Sequence, residues 1–241
     1  VQMLASISAL AYKNGLDNPL AHFGRGGPSD RLGLTSAEAI MNLSSDKNPI
    51  IAMPLRLHDC SLVTDGAAAL VIMKSDDTRD KKDKCVKIAG IGHANEYMPI
   101  SMRKNMYELL AAKEAARRAY KEACIRAVDI DIAEIHDCFT INQILCTEAL
   151  GLSKDGRAGF DYKEGRFARD DPKCCVNLSG GLKAKGHPVG ATGVSMNALL
   201  YKQLIGQPIG ATSTSRQPTV GASLNVGGSS ATNCVTVLIR D

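Results

Sequence analysis

The sequence has 241 residues, of which 44% are hydrophobic and 22% are charged. A chain of this length and composition buries a substantial core, which excludes a mostly disordered protein. The formal net charge of +4 is diffuse, and only 4% of the residues are aromatic, so neither a basic nucleic-acid footprint nor a stacking surface is indicated. No apolar run approaches the roughly 20 residues of a membrane span. We therefore predict no nucleic-acid partner and no integral membrane segment.

The elements predicted over the first part of the chain are short. A helix covers 1–12, a loop rich in Gly, Asn, Asp and Pro covers 13–35, and a second short helix covers 36–44. Residues 65–73 have the pattern of a turn followed by a strand that is buried on both faces. The charged residues 74–84 predict a solvated linker and mark the best domain boundary.

After this linker, strands alternate with helices, which predicts an α/β layered sheet. The predicted elements are a strand over 86–91, a helix over 108–127, a strand over 130–135, a helix over 140–150, a polar excursion over 151–173, a strand over 174–178, a helix over 190–205 and a strand over 232–239. The run 65–72 also resembles 228–235, which fits two similar halves of which only the second is complete here.

Eight cysteines occur along the chain, and none has the C-x-x-C spacing. This excludes a zinc ribbon and a thioredoxin-type redox pair, and it favours free thiols in a reducing intracellular compartment. The chain starts without an initiator methionine, inside a helical pattern. We expect it to be the remainder of a longer chain, whose targeting information is not visible.

The segment 177–193 is the most unusual stretch of the sequence. Five glycines surround His187 between a predicted strand and a predicted helix. Glycines let the backbone approach a ligand closely, and a histidine held before Pro188 can donate to a developing oxyanion or hold a thiolate. The alternative is a tight strand-to-helix turn with a satisfied histidine.

The second candidate is His136-Asp137-Cys138-Phe139, directly after a predicted buried strand. Ligand sites collect where strands of an α/β sheet end, and a His and a Cys there can move protons. We expect the pKa of Cys138 to lie within reach of neutral pH if cations or helix dipoles are near. The alternative is a packed cysteine and a capping aspartate.

The triplet His58-Asp59-Cys60 repeats the first three residues of this motif, but it precedes a turn rather than following a strand, so we interpret it as structural. The adjacent Cys174 and Cys175 fit a strand edge better than a vicinal disulfide. The sequence lacks the G-x-S-x-G pattern of serine hydrolases and the phosphate-binding G-x-x-x-x-G-K-[ST] loop, so neither class of enzyme is supported.

Together, these motifs resemble those of one family. The segment 177–193, NLSGGLKAKGHPVGATG, is similar to the histidine signature of thiolases. The segment 136–139, HDCF, is similar to the variant found in sterol-carrier-type thiolases, where other thiolases carry Asn-Glu-Ala-Phe. The segment 57–71 resembles the end of the thiolase N-terminal half.

The resemblance implies a five-layered αβαβα architecture built from two similar halves. Residues 1–54 would be a loop-domain remnant, 55–83 the end of the N-terminal half with a linker, and 84–241 the complete C-terminal half. The family's nucleophilic cysteine lies in a Cys-x-Ser-type motif of the first half, which this sequence lacks. The segment 225–228, NVGG, also stands where most thiolases have Cys-x-Gly, so Cys138 is the natural substitute as acid/base.

The implied reaction is thiolysis of a 3-oxoacyl-CoA, or the reverse Claisen condensation. The resemblance assigns His187 to activation of the nucleophile and to the oxyanion site, Cys138 to acid/base catalysis, and His136 to polarisation of the thioester oxygen. The residues expected to bind substrate are Gly186, Gly228 and Ser179. No metal or tightly bound cofactor is required, because CoA and acyl-CoA are themselves the substrates.

Two other classes stay open. A catalytically silent thiolase-like subunit or scaffold would bind acyl-CoA or a partner chain without turnover. A ketoacyl synthase of the same superfamily would act on carrier-protein substrates, but such enzymes use two histidines at the site, and the Cys138 pattern speaks against them. We further expect a homodimer in a mitochondrial or peroxisomal compartment.

Overall fold

The amino-terminal part is built on one long helix. The structure, a computed structural model, describes residues 1–74 and 85–240. The elements here are α1 (Gln2–Gly15), α2 (Pro28–Arg31), α3 (Ala37–Met41), β1 (Ile50–Ala52) and β2 (Leu55–Arg56). The α1 helix therefore runs three residues beyond its predicted end, and α3 ends three residues early. The Ser36 hydroxyl caps α3 by accepting the Ala39 N–H at 3.1 Å.

Residues 65–73 do not form the buried strand that the sequence predicts. This stretch has no regular secondary structure, and the side chains of Val71 and Ile72 are 91% and 74% exposed. A buried strand needs neighbouring strands to bond its backbone and layers to cover both faces. No described strand pairs with this stretch, so the prediction is wrong for the structure. The predicted linker, apart from Lys74, lies outside the described residues.

A five-stranded mixed sheet follows. Its strands are β3 (Lys87–Asn95), β4 (Ile132–Ile135), β5 (Cys175–Val176), β6 (Val220–Gly227) and β7 (Thr232–Ile239). They lie in the order β3-β7-β6-β4-β5. The pairs β3–β7 and β7–β6 are antiparallel, whereas β6–β4 and β4–β5 are parallel. The three parallel strands therefore end at the same edge of the sheet.

Helices cover both faces of this sheet. The helices of this part of the chain are α4 (Leu110–Ala123), α5 (Thr140–Ala149), α6 (Ala158–Lys163), α7 (Gly181–Lys185) and α8 (Thr192–Leu204), of which α4, α5 and α8 contact the sheet. The α4 and α5 helices share one core cluster with Ala133 and Ile135 of β4, while Leu200 and Leu204 of α8 share another with Ile132. Alternate residues of β4 thus pack against opposite layers. The predicted α/β class is confirmed.

Small residues bring α4 close to the sheet. A Cβ atom on Gly90 or Gly92 of β3 would lie only 2.2 Å and 1.8 Å from the carbonyl oxygens of Ala119 and Ala115. Only glycine fits at these two strand positions. The α4 helix therefore packs directly against β3 and β7. Among the described residues, no helix has the length and apolarity needed to cross a membrane.

Candidate active site

The site lies at the carboxyl edge of the parallel strands. His136, Asp137 and Cys138 follow β4 directly, and the glycine-rich segment 177–187 follows β5. The third parallel strand, β6, carries Asn225 near its end. Both segments singled out by the sequence are thus brought to one edge, where the strands of α/β sheets present their ligand sites.

The rings of His136 and His187 meet at this edge. Their centroids are 5.0 Å apart and their planes cross at 88°, an edge-to-face contact. The two residues are 51 positions apart in the chain (187 − 136), so the contact depends on the fold rather than on local sequence. His136 is buried and His187 is half-buried.

Thr192 holds the Nδ1 side of the His187 ring. Its Nδ1 lies 2.8 Å from the Thr192 hydroxyl, which itself donates to the Pro188 carbonyl at 3.0 Å. When the single hydrogen of that hydroxyl points to the Pro188 carbonyl, the hydroxyl accepts from His187, and this arrangement goes with the tautomer that carries its proton on Nδ1. Within the described ranges, Nε2 has no hydrogen-bond partner, and its lone pair is available as a base. Burial lowers the pKa of His187, and the Lys185 cation lowers it further.

His136 is less constrained. Its Nδ1 lies 3.0 Å from Asn225 Oδ1, which accepts the Nδ1 proton. The Val226 N–H also points to this nitrogen at 3.4 Å, so the other tautomer has a donor once the Asn225 amide turns. Burial lowers the pKa of His136 to about 4, against the opposing effect of the Asn225 hydrogen bond. The ring is therefore neutral at neutral pH and can present either a lone pair or an N–H at Nε2.

Cys138 differs from the sequence expectation. Burial raises the pKa of its thiol to about 12, and the Asp137 carboxylate adds to the rise. The expectation of a pKa within reach of neutral pH is wrong for this structure because desolvation outweighs stabilisation of the thiolate. Cys138 therefore rests as a neutral thiol, which suits a proton donor better than a resting base.

A short extended segment, 60–64, links the two motifs. Cys60 forms an isolated antiparallel bridge with Phe139, and the Ser61 N–H donates to the Cys138 carbonyl at 2.8 Å. Four residues on, the Thr64 hydroxyl accepts the His187 N–H at 2.7 Å. This segment therefore touches both loops of the site. No signal in the sequence identified Thr64.

Buried polar side chains hold the glycine-rich segment on β4. The Asn177 amide bonds both the N–H and the carbonyl of Ile135, at 2.7 and 3.2 Å. The Glu134 carboxylate accepts the Ser179 N–H and hydroxyl at 3.1 and 2.6 Å. Burial raises the pKa of Glu134 to about 7, against these hydrogen bonds and the Lys185 charge. These contacts fix where the segment leaves the sheet.

The three residues predicted to bind substrate have different surroundings from one another in the structure. Ser179 is fully buried, with its hydroxyl taken by Glu134, so it supports the loop instead of facing a ligand. Gly186 has a φ of +121° and lies so close to His22 that a Cβ atom would approach the imidazole to 2.7 Å. Gly228, at φ +55°, is exposed beside Met98 in the turn after β6. Substrate contact by these residues stays a prediction.

The triplet His58-Asp59-Cys60 has partners of another kind. His58 is buried, with Nδ1 2.7 Å from the Tyr12 hydroxyl, and Asp59 accepts the Thr140 hydroxyl at 2.9 Å. The Lys183 ammonium donates to the Cys60 carbonyl at 2.8 Å. These bonds tie α1, α5 and α7 together.

Cys174 and Cys175 do not form a disulfide with each other. Cys174 and Cys175 are buried free thiols at the start of β5. Across residues 1–74 and 85–240, no group of three or more His, Cys, Asp or Glu side chains is arranged to hold a metal ion.

Comparison with known proteins identifies the family. A family model described as "Thiolase C-terminal domain-like" matches residues 92–240. The chain belongs to the thiolase family. Acetyl-CoA acetyltransferase of Methanothermobacter thermautotrophicus is 36% identical over 99% of this thiolase chain and 58% of its own length. Sterol carrier protein 2 of Oryctolagus cuniculus is 31% identical over 86% of this chain and 36% of its own length. The chain therefore spans little more than half of the first relative, and its likeness to the second agrees with the sterol-carrier type.

Solved structures support the thiolase fold. The Ltp2-ChsH2(DUF35) aldolase matches 100% of this chain and 58% of its own, with a TM-score of 0.81 and 18% identity. The monomeric SCP2-thiolase like protein type 1 of Mycobacterium smegmatis matches 100% of this chain and 46% of its own, with a TM-score of 0.72 and 18% identity. At such identity the likeness establishes the fold alone, and the predicted thiolase-like fold is confirmed.

Proposed function

We propose that the complete protein is an acyl-CoA acyltransferase that cleaves a 3-oxoacyl-CoA with CoA. The products are acetyl-CoA or propionyl-CoA and a shortened acyl-CoA, and the reverse reaction is a Claisen condensation. Relatives named acetyl-CoA acetyltransferase support the proposal. The observation that carries it is the Nε2 of His187, which has no hydrogen-bond partner among the described residues and lies beside His136 at the strand edge that carries Cys138.

In the first step of the proposed reaction, His187 acts as a base. Its Nε2 takes the proton of a nucleophilic cysteine, which we place in a preceding part of the protein. The thiolate then attacks the C3 carbonyl carbon of the substrate. The bond between C2 and C3 breaks, its electron pair goes to C2, and an acyl-enzyme thioester and the enolate of acetyl-CoA result. The Nε2–H of the His187 imidazolium stabilises the oxyanion that forms on the substrate.

Cys138 acts next. Because its pKa is raised, the thiol keeps its proton until the enolate forms and then gives it to C2. The resulting Cys138 thiolate takes the proton of CoA, whose sulfur attacks the acyl-enzyme and releases the nucleophilic cysteine. The released cysteine thiolate takes back the proton held by His187, and the proton of CoA replaces the one that Cys138 gave to C2, so both groups return to their starting state. His136 supports this step by donating from Nε2 to the thioester oxygen of the leaving acetyl-CoA, and Gly186 and Gly228 line the substrate. CoA serves as substrate, and no further cofactor enters.

Assembly and location are part of the same proposal. Exposed apolar side chains on 63–73 support a homodimer or cover by another part of the chain, since patches of this kind normally find a partner. The eight cysteines, free in the structure, support a reducing compartment, which we propose to be mitochondrial or peroxisomal, with use in fatty acid β-oxidation. We retain the division into 1–54, 55–83 and 84–241 as the proposed domain plan.

CoA-dependent loss of a 3-oxoacyl-CoA tests the function directly. The complete protein is expected to release acetyl-CoA or propionyl-CoA, and the 241-residue chain alone is expected to be inactive because it lacks the nucleophile. Mass spectrometry of the purified protein gives its full length, and calorimetry gives acyl-CoA binding. A complete protein that binds acyl-CoA without turnover would instead be a silent scaffold. Turnover on carrier-protein substrates alone would make it a ketoacyl synthase.

A further inference from the structure

Asp137 lies between two residues of the site, but its own side chain is used elsewhere. The carboxylate is 1% exposed. One oxygen accepts the Leu182 N–H at 2.7 Å and the other accepts the Lys183 N–H at 3.2 Å. Both amides belong to α7, the five-residue helix that ends two residues before His187. A single side chain therefore joins the His136–Cys138 loop to the start of the element that delivers His187.

The contact is closely fitted. A Cβ atom on Gly181 would lie 2.1 Å from a carboxylate oxygen of Asp137, and Gly181 has a φ of +61°. No side chain can be added at this glycine without displacing the carboxylate. The first residue of α7 must therefore be glycine to leave room for the Asp137 carboxylate.

The rest of α7 transmits this position to His187. The Gly186 N–H bonds the Leu182 carbonyl at 3.1 Å, so the helical turn continues up to Gly186, directly before His187. The far side of α7 is held separately, because the Lys183 ammonium donates to Cys60 and Tyr12 at 2.8 and 3.0 Å. Loss of the carboxylate should therefore shift α7 rather than unfold it.

We propose that Asp137 is a positioning residue that aligns His187 with His136 and Cys138 by holding the amino end of α7. The inference rests on the proposed function for its kinetic consequence, but the alignment itself is a structural statement. A displacement of about 1 Å at reacting groups can reduce turnover about 10²-fold.

The chain provides a matched control at the other end of the same strand. Asp131 precedes β4, is nearly as buried, and also accepts two consecutive backbone N–H groups, those of Thr219 and Val220, at 2.7 and 3.0 Å. It contacts neither α7 nor the histidine loop in the hydrogen bonds of the described residues. Asp137→Asn and Asp131→Asn make the same chemical change, and Asp131→Asn also removes one charge of an ion pair with Arg216, so both should lower stability. Only the first should disturb the site.

The experiment compares the two variants in the complete protein. Asp137→Asn is expected to lower kcat 10- to 100-fold with KM for CoA changed less than about threefold, while Asp131→Asn keeps kcat within about twofold. In a His187→Ala background, Asp137→Asn should lower kcat by a smaller factor than it does alone, because the part of its effect that passes through the histidine is already lost and only the charge effect on Cys138 remains. Equal kcat losses in the two single variants, or full additivity with His187→Ala, would overturn the proposal.

A second readout is independent of turnover. Imidazole resonances in NMR spectra of the complete protein should shift for His187 in Asp137→Asn and stay unchanged in Asp131→Asn. A crystal structure of Asp137→Asn should show α7 displaced and the 5.0 Å contact of the two rings lengthened. If the wild type has no thiolysis activity, the proposed function fails while this readout still decides the positioning role. An unmoved α7 with an unshifted His187 would reject that role.

Discussion

His58-Asp59-Cys60 and His136-Asp137-Cys138 are the same three residues at two places, and the structure sets them side by side through the Cys60–Phe139 bridge. The first triplet begins within a single 3-10 turn, Leu57–Asp59, and its polar groups form hydrogen bonds that join helices. The second leaves β4 at the open edge of the sheet, where His136 meets His187. Because the residue types are identical, the comparison teaches that the position of a triplet relative to the sheet decides its chemistry.

The largest expected difference is between the two cysteines. Cys138→Ala in the complete protein should reduce turnover by at least ~10²-fold, the usual effect of a lost proton-transfer group, while acyl-CoA still binds. Cys60→Ala should keep turnover within about twofold, because the Cys60 contact to Lys183 uses the backbone carbonyl. Steady-state thiolysis with binding by calorimetry measures both. Similar losses in the two variants would erase the distinction between the triplets.

The two histidines should separate next. His136→Ala is expected to lower kcat about 10-fold or more, since it removes a donor beside the reacting thioester. His58→Ala should change kcat of the folded protein less than about threefold, because its ring bonds Tyr12 and not the site. Activities must be normalised to folded protein from circular dichroism. A kcat loss confined to His58→Ala would reverse the assignment.

A smaller effect concerns the helix-joining role of the first triplet. Tyr12→Phe removes a hydroxyl that bonds both His58 and the Lys183 ammonium, so it should lower the free energy of unfolding by about 2 kcal/mol. Among the described residues, the Tyr120 hydroxyl bonds only the Leu150 carbonyl. Tyr120→Phe should therefore lower the free energy of unfolding by about 1 kcal/mol. Urea denaturation measures both. If Tyr12→Phe is as stable as the wild type, the buried network is not stabilising.

A last expected effect is one that the two triplets share. Burial lowers the pKa of both His58 and His136 to about 4, whereas an unfolded histidine titrates near 6.5. Between pH 6.5 and 4 the unfolded chain therefore binds more protons, so stability falls as the pH falls through this window. His58→Gln and His136→Gln should each remove about one proton from that dependence. Urea titrations from pH 7 to pH 4 test it, and an unchanged slope in either variant contradicts it.

Regular elements with strong local patterns were predictable. The strand at 130–135, the helix at 140–150 and the helix at 190–205 appear as β4, α5 and α8 with bounds shifted by at most two residues. Their apolar runs and glycine boundaries carry the signal locally. The short α6 and α7 helices were not predicted, because a helix of five or six residues has too few turns to show a period. The prediction of a buried strand at 65–73 was wrong, because burial of a strand depends on neighbouring strands and covering layers rather than on its own sequence pattern.

The candidate site likewise has residues that the sequence could predict and properties that it could not. The motif residues His136, Cys138 and His187 could be singled out from the sequence, because histidine and cysteine beside glycines and strand ends are unusual. The buried state of Ser179 and the raised pKa of Cys138 could not be predicted from the sequence. Their desolvation comes from residues distant in the sequence that fold over them. The same applies to Thr64, which reaches His187 from 123 positions away (187 − 64).

The single hydrogen of the Thr192 hydroxyl has a consequence for timing. While it points to the Pro188 carbonyl, His187 keeps its proton on Nδ1, and Nε2 can only accept. In the proposed reaction, the ring therefore becomes a donor at Nε2 only after it has taken the proton of the nucleophile. An electrophilic contact from this atom is thus absent when substrate arrives and present once the thiolate exists. One threonine side chain in this way imposes a sequence of events on the histidine, with deprotonation first and oxyanion stabilisation second.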